Sequence, residues 1–175
     1  MGGARRWVRR ANELHATRWF DRAVLTARQW PADKPAMPAS VINFSSLRKV
    51  LGWLTEALML WQAQPEGSVL KPHLRSAVIQ SFEFSYELSL RSLRRVLIER
   101  AGAADRITDL SFNELLRSAA DAGLLNDPAA WRIWRELRNA TSHAYDEVRA
   151  QQVAEDAARF CIDAQALLVA MEAAQ

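Results

Sequence analysis

Apolar residues recur every three or four positions through most of this chain, and polar ones fill the gaps. Leu47, Val50, Leu51, Leu54, Leu58 and Trp61 fall on one face of a helix predicted over 45–64, ended by Pro65 and Gly67. From about Pro72 to Ala101, Ile79, Phe82, Tyr86, Leu90, Leu93 and Leu97 make the cleanest stripe in the sequence, and Gly102 supplies the stop. Ser111 with Glu114 three residues on is a capping box for a short helix to about Ala122, closed by Gly123. Asp127 then Pro128 reads as an N-cap followed by proline in the first helical position, opening a helix towards His143 with Trp131 and Trp134 on its face. Val153, Ala157, Phe160, Ala164, Leu167, Leu168 and Met171 mark a last helix. No period-two alternation and no internal repeat interrupts this pattern.

Ahead of these elements the pattern is weaker. Residues from Arg5 to about Gln29 predict a moderately amphipathic helix, and Pro31, Pro35 and Pro38 then predict an extended linker, since each proline fixes φ and lacks a donor. Two parts follow: a basic helical extension with its linker over 1–40, and a helical body over 41–175. Short links make successive helices antiparallel neighbours, so the expected fold is all-α, an antiparallel up-and-down bundle of four or five helices with an N-terminal helical extension.

Composition narrows the functions open to such a bundle. With 175 residues the body can bury a core, and 50% hydrophobic content with six Gly and six Pro suits a globular helical chain. The net charge of +3 is unevenly placed. Residues 1–40 hold eight Lys/Arg against three Asp/Glu, whereas 41–175 hold fifteen against seventeen, so the body has no global basic field for nucleic acid. A single cysteine, Cys161, excludes an intramolecular disulfide framework, and three scattered histidines show no metal-ligand spacing. Neither a metal nor a cofactor is expected. The longest apolar runs, such as 58–61, are far too short to span a bilayer, and the Arg-rich start lacks the apolar core of a secretory signal. A cytoplasmic protein without membrane contact is expected.

Polar chemistry concentrates in Glu136-Leu137-Arg138-Asn139-Ala140-Thr141-Ser142-His143-Ala144-Tyr145-Asp146-Glu147. Histidine moves protons near neutral pH and guanidinium offers a fork of donors to phosphate, a pairing suited to phosphodiester chemistry. Asn139, Thr141 and Ser142 add neutral hydrogen bonds. On one helix, however, His143 lies about 140° around from Arg138, so the two converge only if the last turn loosens or a second chain contributes. The plainer alternative has Arg138 paired with an acid, Asn139 and His143 capping the helix, and Tyr145 at its edge. A second polar stripe, Gln80, Glu83, Glu87, Arg91 and Arg94, runs beside the apolar stripe of the long helix. Glu87 and Arg91 are spaced to pair. Glu83, between Phe82 and Phe84, should be partly covered and therefore partnered, with Arg138 or His143 available. The seven tryptophans read as core and interface anchors.

The string 138–147 resembles the signature of the HEPN proteins once called nucleotidyltransferase substrate-binding proteins, and Gln80-Ser81-Phe82-Glu83-Phe84 with Glu87 resembles that group's second signature. The likeness covers about residues 43–173. It implies a homodimer in which each chain's Arg-x4-His motif meets its partner's across a two-fold axis. It further implies an endoribonuclease toxin that cuts RNA without metal, with Arg138 and His143 catalytic and Asn139, Ser142 and Glu83 supporting. Members carrying Arg-x4-His-x-Tyr are encoded beside a minimal nucleotidyltransferase antitoxin that transfers AMP to the tyrosine, and Tyr145 matches that acceptor. The older family name implies the alternative, a non-catalytic subunit that presents substrate to a nucleotidyltransferase.

Overall fold

The structure, a computed structural model, describes residues 42–102, 107–143 and 146–175, with His143 described in its backbone alone. The helix and linker expected within 1–40, and Tyr145, lie outside the described residues. Those described form five α-helices and no strand: α1 Ser45–Ala63, α2 Leu70–Ala101, α3 Phe112–Asp121, α4 Pro128–Ala140 and α5 Glu147–Ala173, with a 3-10 turn at Thr141–His143 after α4. The expected all-α bundle is therefore what the chain forms. None of these helices is long and apolar enough to cross a membrane.

Local chemistry sets most of the helix ends. The α3 capping box is complete, the Ser111 hydroxyl accepting from the Glu114 amide while the Glu114 carboxylate accepts from the Ser111 amide. Asp127 caps α4 by accepting from the amides of Ala129 and Ala130. Gly102 closes α2 in the left-handed conformation, φ 60°, with its amide donating to the Ile98 carbonyl. Two starts differ from expectation. α2 begins at Leu70, because Pro72 in the first turn lacks only an amide that no helix could use there, and the Ser68 hydroxyl accepts from the Leu70 amide at 3.3 Å. α5 begins six residues before Val153, because Asp146 caps it through the amides of Val148 and Arg149.

Cross-helix pairs give the directions. Arg48 near the start of α1 pairs with Glu172 near the end of α5, so these two helices run oppositely. Arg75 meets Glu147 and Gln151, and Phe82 meets Phe160, so α2 and α5 run the same way. α4 returns against α2, its residues 138 and 141 meeting 87 and 83 in turn. The core holds Phe82, Tyr86, Trp131, Trp134 and Phe160 as one aromatic cluster, with ring centroids 4.9–6.5 Å apart. The Trp134 indole N–H donates to Asp163 at 2.8 Å, which satisfies its one polar group. Locked between α2 and α5, this cluster holds the C-terminal end of α4 against the middle of α2.

Candidate functional site

Glu83 and Glu87 stand one turn apart on α2 and face the end of α4. Arg138 donates through Nε to Glu87 Oε1 at 3.1 Å, with the arginine side chain 37% exposed and the glutamate 54%. Because the contact is made through Nε, the two terminal amino groups of Arg138 remain without a hydrogen-bond partner among the described residues. A guanidinium held in this way can present a fork of donors to an incoming phosphate oxygen. Expectation placed Glu83 nearest to Arg138 and gave Glu87 to Arg91. The structure corrects both: Glu87 takes Arg138, since α4 delivers the guanidinium one turn farther along α2 than Glu83.

Glu83 is half-buried beside the fully covered Phe82, and its partner is the Thr141 hydroxyl, which donates to Oε1 at 2.6 Å. The same hydroxyl lies 2.7 Å from the Arg138 carbonyl, and its single hydrogen favours the charged carboxylate. Thr141, buried at the first residue of the 3-10 turn, thereby joins α2 to the motif. Ser142 is exposed and donates to the Asn139 carbonyl at 2.8 Å. Asn139 is exposed. The last turn before His143 tightens to 3-10 rather than loosening, so the backbone of one chain does not supply the adjustment that would bring Arg138 and His143 to one face. Where the His143 and Tyr145 side chains lie is outside the described residues.

Other polar residues on α2 have structural work. Arg94 donates to the Ile107 carbonyl at 3.1 Å and the Leu110 carbonyl at 3.3 Å, tying down the approach to α3. Tyr86 stacks on Trp131 behind the Glu87–Arg138 pair. Burial pushes its hydroxyl up to about 12, with the Arg135 and Arg138 guanidiniums pulling in the opposite sense. Phe84, 46% exposed, stands beside the carboxylate pair on the outer face of α2. Among the described residues no group of three or more His, Cys, Asp or Glu could hold a metal ion.

Sequence reasoning did not single out Thr141 as the partner of Glu83, nor the ion pair between Arg75 and Glu147 at the far end of the same motif. One signal was present. Residues 75, 79, 83 and 87 are spaced by four and fall in one row on α2.

Comparisons with known proteins agree with this architecture. The model of a family described as "nucleotidyltransferase substrate binding protein like" matches residues 42–173. A Haemophilus influenzae protein named "probable ribonuclease HepT" is 39% identical over 101 residues, which covers 58% of this chain and 69% of that one. A solved Haemophilus influenzae structure, described as revealing the fold of a substrate binding domain of a nucleotidyltransferase, matches with a TM-score of 0.67 at 32% identity. That match covers 74% of this chain and 98% of the other.

Proposed function

This chain belongs to the nucleotidyltransferase substrate-binding-like family, of HEPN-like fold, and we propose that it is a metal-independent endoribonuclease toxin acting as a cytoplasmic homodimer. The observation that supports this most is the half-exposed Arg138, held through Nε with its terminal amines open, five residues before His143. The relative named a probable ribonuclease supports the same reading.

In the proposed reaction a ribose 2′-hydroxyl attacks the adjacent phosphorus, and the bond from phosphorus to the 5′-oxygen breaks. A 2′,3′-cyclic phosphate and a 5′-hydroxyl result. His143 moves the proton, taking it from the attacking hydroxyl or giving it to the leaving oxygen. Arg138 stabilises the charge that grows on the non-bridging oxygens. Glu87 fixes the guanidinium, Glu83 with Thr141 fixes the turn that carries His143, and Asn139 and Ser142 line the substrate side. The second chain supplies its own Arg138 and His143 across the two-fold axis. A cognate minimal nucleotidyltransferase neutralises the toxin by transferring AMP to Tyr145, where the added phosphates repel RNA.

The test is cleavage of single-stranded RNA in EDTA. His143→Ala and Arg138→Ala should each lower the rate by about 10²–10⁴-fold while the protein stays folded. Unchanged cutting by His143→Ala would overturn the catalytic assignment. Co-expression with the nucleotidyltransferase should raise the intact mass by whole AMP units, and Tyr145→Phe should abolish that gain. The description of the solved relative favours one other reading, a non-catalytic subunit that presents substrate to a nucleotidyltransferase. Wild-type protein that leaves RNA intact yet stimulates nucleotidyl transfer would establish that alternative.

A further inference from the structure

One row of side chains on α2 touches the signature segment at three successive places. Residues 75, 79, 83 and 87 repeat every four positions and share a face. They meet the segment in reverse order as the chain runs back along α2. Glu87 takes Arg138, Glu83 takes Thr141, and Arg75 takes Glu147, the first residue of α5, with Gln151 one turn later. Ile79, between the anchors, is buried.

Thr141 and Glu147 are thereby attached to points eight residues apart on a rigid helix, about 12 Å along its axis. Six residue steps could stretch on the order of 20 Å. The segment between the anchors therefore has slack, and the place its backbone occupies depends on both attachments. The Arg75 anchor is also unlike an ordinary rim pair. Its side chain is only 14% exposed, so losing the Glu147 carboxylate leaves a nearly covered guanidinium without its counter-charge.

We infer that Arg75, through Glu147, is a positioning residue for the proposed cut: together with the Glu83–Thr141 hydrogen bond it holds the two ends of residues 141–147 and sets where His143 is delivered relative to Arg138. The inference rests on the ribonuclease reading for its catalytic part, while the anchoring itself does not depend on it.

Charge reversal in the full chain tests both parts. Arg75→Glu and Glu147→Arg should each speed amide hydrogen exchange over residues 142–150 about tenfold and leave the α1 core amides around Leu54 unchanged. The double variant Arg75→Glu/Glu147→Arg should return to near the wild-type rate. In RNA cleavage the single variants should lower kcat with KM held, and the double variant should recover kcat, a rescue that general loss of stability would not give. If Arg75→Glu does not fold, Arg75→Met keeps the covered stem and reads the same loss of anchoring. Wild-type exchange in the single variants, or a double variant as fast as either single, overturns the anchoring. Faster exchange with wild-type kcat overturns the positioning role. Wild-type protein that cuts no RNA overturns the ribonuclease reading, and with it the catalytic part of this inference, whatever the exchange shows.

Discussion

Two seams run along α2, one dry and one wet, and they are a single residue out of step. Phe82 and Tyr86 turn inward to Phe160 and Trp131, where every ring is buried. Glu83 and Glu87, about 100° around the same helix, turn to Thr141 and Arg138 at the edge of the solvent. The dry seam gains from removing apolar area from water, which is strong and has little directional preference. The wet seam gains little net energy, because water competes for each of its bonds, but it fixes the direction of each group. Stability and site geometry are thus divided between neighbouring positions of one helix. The aromatic cluster sets the register of α2 against α4, and the carboxylates then find their partners at hydrogen-bond distance.

The sharpest way to break this division is from the dry side. Phe160 is fully buried among four aromatic residues, so Phe160→Ala should cost about 3–5 kcal/mol. Chemical denaturation checks this, and a loss below about 1 kcal/mol would mean the cluster does not organise the fold. On the wet side, Thr141→Val keeps the shape of the side chain and removes the hydroxyl, leaving Glu83 half-buried without its donor. The expected loss is about 1–3 kcal/mol, read in the same experiment. An equal loss in Thr141→Val and in Thr141→Val/Glu83→Gln would show that the two residues are not coupled.

Glu87→Gln should separate the seams most cleanly. Both partners of its ion pair are substantially exposed, so stability should change by less than about 1 kcal/mol. The Arg138 guanidinium loses its fixed direction, however, and RNA cutting should fall about tenfold in kcat. KM should not rise, because a carboxylate that repels phosphate has also been removed. A large drop in melting temperature with kcat intact would reverse the assignment and make Glu87 a structural residue.

What could be foreseen divides along the same line. The α3 capping box, the Asp127–Pro128 start and the Gly102 stop depend on residues within four positions of one another, and each lies where the sequence puts it. The dry stripe of α2 was legible because a period of 3.6 is a one-dimensional signal. The wet partners were not, since Glu87 chooses between Arg91, four residues away, and Arg138, fifty-one away. That choice depends on where α4 comes to rest, which aromatic burial decides. The α5 start was missed for a smaller reason: Asp146 was read as part of the polar string, although its side chain caps the helix. Of the site itself, Arg138 and Glu83 were singled out correctly as residues that meet α2 and α4 partners, but both partners were assigned one turn out.

The smallest expected effect comes from Tyr86, which sits where the two seams touch. Burial lifts its hydroxyl to about 12, and the nearby Arg135 and Arg138 guanidiniums only partly oppose this. In the unfolded chain the same group titrates near 10. Below pH 10 both states hold the proton, so the contribution of Tyr86 to stability is complete and independent of pH. Between about 10 and 12 the unfolded chain releases the proton while the folded chain keeps it, and ionisation then favours unfolding. Stability should fall across that window. Tyr86→Phe lacks the proton, so its stability relative to wild type should stay constant up to pH 10 and then improve as pH rises towards 12. Denaturation midpoints of the two proteins, measured in steps from pH 9 to 12, give the difference directly. The chain has two tyrosines, so a Tyr145→Phe background leaves Tyr86 as the one phenol whose ultraviolet titration is followed in parallel. A constant difference between the proteins across the whole range, with a phenolate signal rising near pH 10, would mean that Tyr86 is open to water and that the dry seam ends before it reaches Arg138.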